Sequence, residues 1–317
     1  MPARTPEAAR SGITSGRRAQ KARDAARRPG YACPASGAAP EGAEGTAGRE
    51  DHGLFGPGSV TWQIMGEPVM WVAGVRALYL QALHPRTMRA VWQNGVFTDP
   101  DQAWGRFLRT SRFVQTRHYG SLAEVEEAGR RVRKIHASLT GTDPDGTTFR
   151  LDEPELLLWV HCGEIGSYVD VARRSGMGVS ARELDMFVDE QRRSAAVVGL
   201  DPAGVPGSVA ELDAYFTAIR PKLYACEEAK RALLMTYSPA ALPADLLKLA
   251  VPPINVLGFA ALPRWARRMY GLPGSPLTDM AATAALRAAR RATTGVPGRL
   301  LYEPAARRVF GGAARAA

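Results

Sequence analysis

Of the five histidines in this chain of 317 residues, three stand where an imidazole could work away from water. His136 and His161 each fall within a helical, apolar-faced segment, and one polar turn separates the two segments. His136 follows Val132 by four residues and precedes Leu139 by three, so on a helix it shares their inward face, with Arg133 one turn earlier. His161 closes the run Leu156 to Val160, which is apolar on every side. His84 precedes Pro85, and proline disfavours helical backbone in the residue before it. His84 is therefore expected in the last turn of a helix, where the carbonyl ends favour a cation. An imidazole in such a core is either a structural group satisfied by hydrogen bonds or a ligand. A haem iron needs one neutral imidazole, held by a hydrogen-bond acceptor and surrounded by apolar walls. The anionic propionates of a haem suit the planar fork of arginine, and Arg133 and Arg106 are placed to supply it. His118 and His52 lie in loop-like contexts and read as ordinary.

The elements that must carry these residues are helices. Leu54 to Ser59 reads as a loop entering a short helix around Trp62, and Pro68 opens a long helix ending at His84. A helix from about 101 to 116 places Arg106 and Thr110 on one face, with Arg109 one position round. Ser121 and Glu124 form a capping box that starts the His136 helix through Leu122, Val125 and Val132. Asp143-Pro144-Asp145-Gly146 is a turn signature. Asp152 is the expected cap of the His161 helix, with Pro154 in its first turn. Further helices are expected from Ser180 to about Val198, from Ser208 with a break at Pro221, and over Pro243–Leu249, Pro263–Tyr270 and Pro276–Thr294. Only Thr147 to Leu151 suggests a strand. The chain is thus expected to be all-α: one multi-helix domain over residues 51–317 behind a disordered basic tail, residues 1–50. That tail is compatible with a translated extension ahead of the true start.

Charge and motif content narrow the function classes. The formal charge of +10 divides into +4 over residues 1–50, +8 over 262–317 and therefore −2 over 51–261. A nucleic-acid binder would concentrate its basic stripe on the functional core, so that partner is not expected. Cys33, Cys162 and Cys226 form no CxxC pair, which leaves neither a zinc module nor a disulfide framework, and no CxxCH attaches a haem covalently. No P-loop, GxGxxG, GxSxG or HExxH is present. The longest apolar stretch, Leu242 to Leu262, is interrupted by Asp245, Lys248 and Pro252–Pro253, so stable membrane insertion is not expected. With no secretory pattern at the amino terminus, the chain reads as cytoplasmic.

Four segments recur in the order and spacing of one known domain: GVRALYLQALHP (Gly74–Pro85), GRFLRT (Gly105–Thr110), RVRKIHASLTG (Arg131–Gly141) and DEPELLLWVH (Asp152–His161). Together with LPRWARRMYGLP (Leu262–Pro273), they resemble the catalytic domain of the rubber oxygenases (latex-clearing proteins) and MpaB-type oxygenases over about residues 54–275. The resemblance implies a helical fold around a non-covalent haem b. Its R-x-x-H motif maps onto Arg133 and His136, making His136 the iron ligand and Arg133 and Arg106 haem-binding residues. Its R-x-x-K-T element over the haem maps onto Arg106, Arg109 and Thr110, with arginine replacing lysine at Arg109. His84 and His161 match positions of the shorter bacterial members and are assigned to the pocket around the haem or substrate. The implied activity is oxygenation, with O2, of a small hydrophobic substrate of terpenoid or secondary-metabolite type. Two readings stand beside it: a non-catalytic haem-binding protein, and a metal-free dehydrogenase or isomerase using His84 and His161 as acid and base.

Overall fold

A computed structural model describes residues 51–95, 100–236 and 245–294. The expected tail over 1–50, Cys33, Pro243 and the chain beyond 294 lie outside them. The described chain is all-α with one two-stranded hairpin. Helix α1 (Val60–Met65) is started by the Ser59 hydroxyl, which accepts from the Trp62 amide at 3.1 Å. The Glu190 carboxylate takes the Val60 and Thr61 amides at 3.2 and 2.8 Å, filling more of the positive end of that helix.

Helix α2 (Met70–Gln81) buries Val72, Val75, Tyr79 and Leu80 and is apolar almost all round, as a central helix must be. Leu78, an apolar residue of the same helix, is 41% exposed. The helix also ends earlier than its sequence suggests. His84 has extended backbone (φ −85°, ψ 114°) and is the residue before α3 (Pro85–Gln93), whose first position is Pro85. Proline lacks an amide proton and is preset for the first helical turn, so it begins the next helix and does not terminate the last. The carbonyl-end setting expected for His84 is corrected accordingly.

Helix α4 (Pro100–Tyr119) runs through His118, which is therefore helical and not in a loop. Helix α5 (Leu122–Ser138) has the full Ser121/Glu124 capping box. Leu122, however, is 55% exposed, because the first turn of α5 lies outside the core that Val125 enters. Strands β1 (Thr140–Thr142) and β2 (Thr148–Arg150) pair antiparallel, with Gly141 opposite Phe149. Asp143 anchors their turn by accepting from Arg86 Nε and Arg89 Nη1, both at 2.7 Å.

Helix α6 (Pro154–Ser175) is the second central element. Its N-cap position is Glu153 and not Asp152, with no capping bond from the side chain, because Pro154 takes the first helical position and the residue before it becomes the boundary. Asp152 instead accepts from Arg150. Gly176 ends α6 in the left-handed conformation (φ 76°), which a side chain would strain. Trp159, Ile165 and Val171 of α6 are fully buried, each worth about 1.5–3 kcal/mol of apolar transfer for residues of this size.

Helices α7 (Ala181–Glu190) and α8 (Arg192–Val197) divide at Gln191 the single helix expected from Ser180. Helices α9 (Val209–Ile219) and α10 (Glu227–Thr236) follow, with a 3-10 turn at Arg220–Lys222 where Pro221 was expected to interrupt. Helix α11 (Asp245–Ala260) runs through Pro252–Pro253, well beyond the expected end at Leu249. Its carbonyl end is closed by three arginines. Arg76 and Arg174 donate to the Ala261 carbonyl at 3.1 and 3.0 Å, and Arg267 donates to the Ala260 and Leu262 carbonyls. Helices α12 (Arg264–Met269) and α13 (Pro276–Thr294) complete the fold, joined by Arg264 and Arg267 to Asp279. Part of the positive charge of this end is thus structural.

Candidate functional site

A cavity of about 580 Å3 lies among α2, α4, α5 and α6, within the range of small-molecule sites. Each helix gives it one face. From α5 come Val132, Ile135, His136 and Leu139, at the spacing of one helical stripe. From α6 come Leu157, Val160, His161, Glu164 and Tyr168, again one stripe. Trp71 of α2 meets Phe107 of α4 with ring centroids 6.5 Å apart. Leu78 and Ile135 combine a place on the wall with 41% and 49% exposure, which makes the rim apolar.

The cavity gathers Arg106, Arg109, Thr110, His136 and His161. It does not gather Arg133 or His84. The Arg133 guanidinium donates to the Val197 carbonyl at 2.6 Å and is not part of the cavity wall. His84 is buried beside Trp159, with Nε2 3.7 Å from the Glu155 carboxylate and both ring nitrogens without a hydrogen bond. An acid–base pair of His84 and His161 on one cavity wall is not formed.

His136 is half-buried, and burial lowers its pKa, helped by the charge of Arg106. The ring is therefore neutral at neutral pH. Its Nδ1 is buried without a partner, so the acceptor that the ligand reading calls for is not supplied. His161 is 5% exposed, and burial followed by the charge of Arg117 pushes its pKa down to about 3. Its Nδ1 also has no hydrogen bond. Arg106 is lowered by burial and by Arg109 beside it, and neither arginine has a carboxylate partner among the described residues. Arg106 is half-buried and Arg109 is exposed at the mouth of the cavity, so the desolvation falls on Arg106.

Sequence reasoning missed a second polar group on this wall. Arg117 Nη2 donates to Glu164 Oε1 at 2.6 Å, and Tyr168 donates to the same oxygen at 3.2 Å. The helical period supplied a signal for it: Glu164 is three residues after His161, and Arg117 is seven after Thr110. His118, one residue on, faces away, stacked on Phe55 and donating from Nδ1 to the Val114 carbonyl at 2.7 Å.

Fold and site together define a helical enzyme domain with an apolar small-molecule pocket and a few convergent polar groups. Residues 62–294 match the catalytic domain of the ER-bound oxygenase mpaB/B'/rubber oxygenase family, and the chain belongs to that family. It is an oxidoreductase of the oxygenase kind. Comparison with curated proteins and with solved structures found no match.

The cavity supplies part of what a haem asks for, a neutral imidazole, without the acceptor behind it. Among the described residues no three His, Cys, Asp or Glu converge to hold a bare metal ion. A porphyrin iron asks the protein for as little as one imidazole, and His136 offers a neutral ring with an unsatisfied nitrogen. Arg106 and Arg109 lack the anions that propionates would bring. No helix among the described residues is long and apolar enough to cross a membrane.

Proposed function

We propose that this protein is a haem b-dependent oxygenase acting with O2 on a small hydrophobic molecule of terpenoid or secondary-metabolite type. The observation that carries the reading is the neutral His136 on the wall of an apolar cavity whose neighbouring cations, Arg106 and Arg109, have no carboxylate partner among the described residues. His136 would hold the iron, and Arg106 would pair with a propionate. When bound, haem supplies the activation of dioxygen that these side chains cannot. Arg109 and Thr110 present hydrogen-bond donors to a polar atom held in the cavity, and Leu78, Ile135 and Phe107 exclude water from an apolar guest. Arg133, bound to the Val197 carbonyl, steadies α5 against α8 and takes no part in holding the cofactor.

The test is an absorption spectrum of the purified protein, expressed with a haem supply, beside His136→Ala and His161→Ala. The reading requires a Soret band in the wild type and in His161→Ala, and its loss in His136→Ala. A band untouched by His136→Ala, or none in the wild type, overturns it.

A further inference from the structure

One end of the cavity is built differently from the rest. Arg117, Glu164 and His161 are 3%, 8% and 5% exposed, and all three belong to its wall. Such burial of a charged pair beside a neutral imidazole is costly unless every polar atom is satisfied. Here they are not. Glu164 takes Arg117 Nη2 and the Tyr168 hydroxyl, but Arg117 Nε and His161 Nδ1 have no hydrogen bond within the protein. The other carboxylate on the wall, Glu67, is already occupied by Arg290 through two bonds, at 2.8 and 3.1 Å.

We propose that Arg117, Glu164 and His161 form an anchor for a neutral oxygen, a hydroxyl or carbonyl, carried by an otherwise hydrophobic substrate. The proposal names the substrate class of the site and rests on the reading of the cavity as the substrate pocket. The chemistry follows from the two unused groups. Arg117 Nε–H is a donor only, and a neutral imidazole both donates and accepts, so together they match an oxygen with lone pairs, with or without a proton. Charge selects against an acid. Glu164 already neutralises Arg117, so a substrate carboxylate would set a second anion beside Glu164 in a low-dielectric wall. A bare hydrocarbon would leave both groups unpaired, which is how a polar site rejects an analogue lacking the polar atom.

The test uses four ligands that share one bicyclic body: tetralin, tetralol, tetralone and tetralin carboxylate. Binding to the purified full-length protein is measured by calorimetry, and the absorption spectrum of each preparation is recorded. Tetralol and tetralone are expected to bind about tenfold more tightly than tetralin or the carboxylate. His161→Phe should bring tetralol to within about twofold of tetralin while leaving tetralin itself unchanged. Because Arg117→Met alone strands a buried carboxylate, the second variant is the double change Arg117→Met with Glu164→Leu, which removes both charges and should abolish the preference as well. Equal binding of tetralol and tetralin, tightest binding of the carboxylate, no binding of any of the four, or a preference that survives both variants overturns the proposal. A preference without a Soret band would refute the haem reading alone, and a band without the preference would refute the anchor alone.

Discussion

Arg117 on α4 and Glu164 on α6 meet through a 2.6 Å hydrogen bond, both nearly excluded from water, and so tie together two of the helices that enclose the cavity. Breaking one partner of such a pair leaves an uncompensated buried charge. Arg117→Met should cost about 3–5 kcal/mol of unfolding free energy, and adding Glu164→Leu should restore most of it. Urea titrations of the two variants check this. Equal losses in both would show that the pair contributes packing and not charge complementarity.

Two buried imidazoles make stability depend on pH. His118 and His161 have pKa values near 3 in the folded chain against about 6.5 when solvated, in both cases chiefly through burial. Between these values the unfolded chain binds more protons, so stability is full above about pH 6.5 and falls as the pH drops towards 3. Each ring contributes up to about 1.4 kcal/mol per pH unit in that window. His161→Phe should therefore lose about 2 kcal/mol less than the wild type between pH 7 and pH 5. Denaturant midpoints at the two pH values decide the matter, and parallel losses would mean His161 is not held as a buried neutral ring.

Gly129 lets α5 approach α8. A Cβ there would come within 2.7 Å of Val197 Cγ1 and 2.9 Å of the Val197 carbonyl oxygen, closer than real contacts allow. Gly129→Ala should destabilise the protein by about 1–3 kcal/mol through overpacking, despite the better helix propensity of alanine. A rise in the thermal midpoint would show that the two helices separate freely at this point.

Arg106 and Arg133 both match arginines of the family motifs, yet only Arg106 reaches the cavity. Under the haem proposal, Arg106→Ala should weaken haem retention, read as faster transfer of pigment to a haem-scavenging protein. Arg133→Ala should leave retention unchanged while lowering stability by about 1 kcal/mol or somewhat more, the worth of its bond to a carbonyl. Arg109→Ala should keep the pigment and change its reactivity towards oxygen. Loss of pigment in Arg133→Ala, or its full retention in Arg106→Ala, would reverse the assignment.

Local features were legible where neighbours in sequence decide them. The capping box of Ser121 and Glu124, the turn at Asp143–Gly146 and the stripe of Val132, His136 and Leu139 all follow from short spacings. Boundaries set by proline were less so. Pro85 starts a helix, Pro154 moves the cap to Glu153, and Pro252–Pro253 ride within α11. In α11, Gly258 admits a close approach, a Cβ there falling 2.9 Å from Val75 Cγ1, and three arginines close the carbonyl end. Such distant support outweighs the local cost of the prolines.

By itself, the sequence determined the helical class, the apolar faces and the histidines worth attention, because period and capping are properties of a few adjacent residues. Its motifs also pointed to the oxygenase family that the match over residues 62–294 establishes. Only the tertiary structure decided which polar groups share a wall. It bound Arg133 to the Val197 carbonyl, kept His84 off the cavity, and brought Arg117 from α4 against Glu164 from α6, 47 residues apart. The reason is physical: a side chain's role depends on which helices lie across from it, and that is set by how the whole core packs.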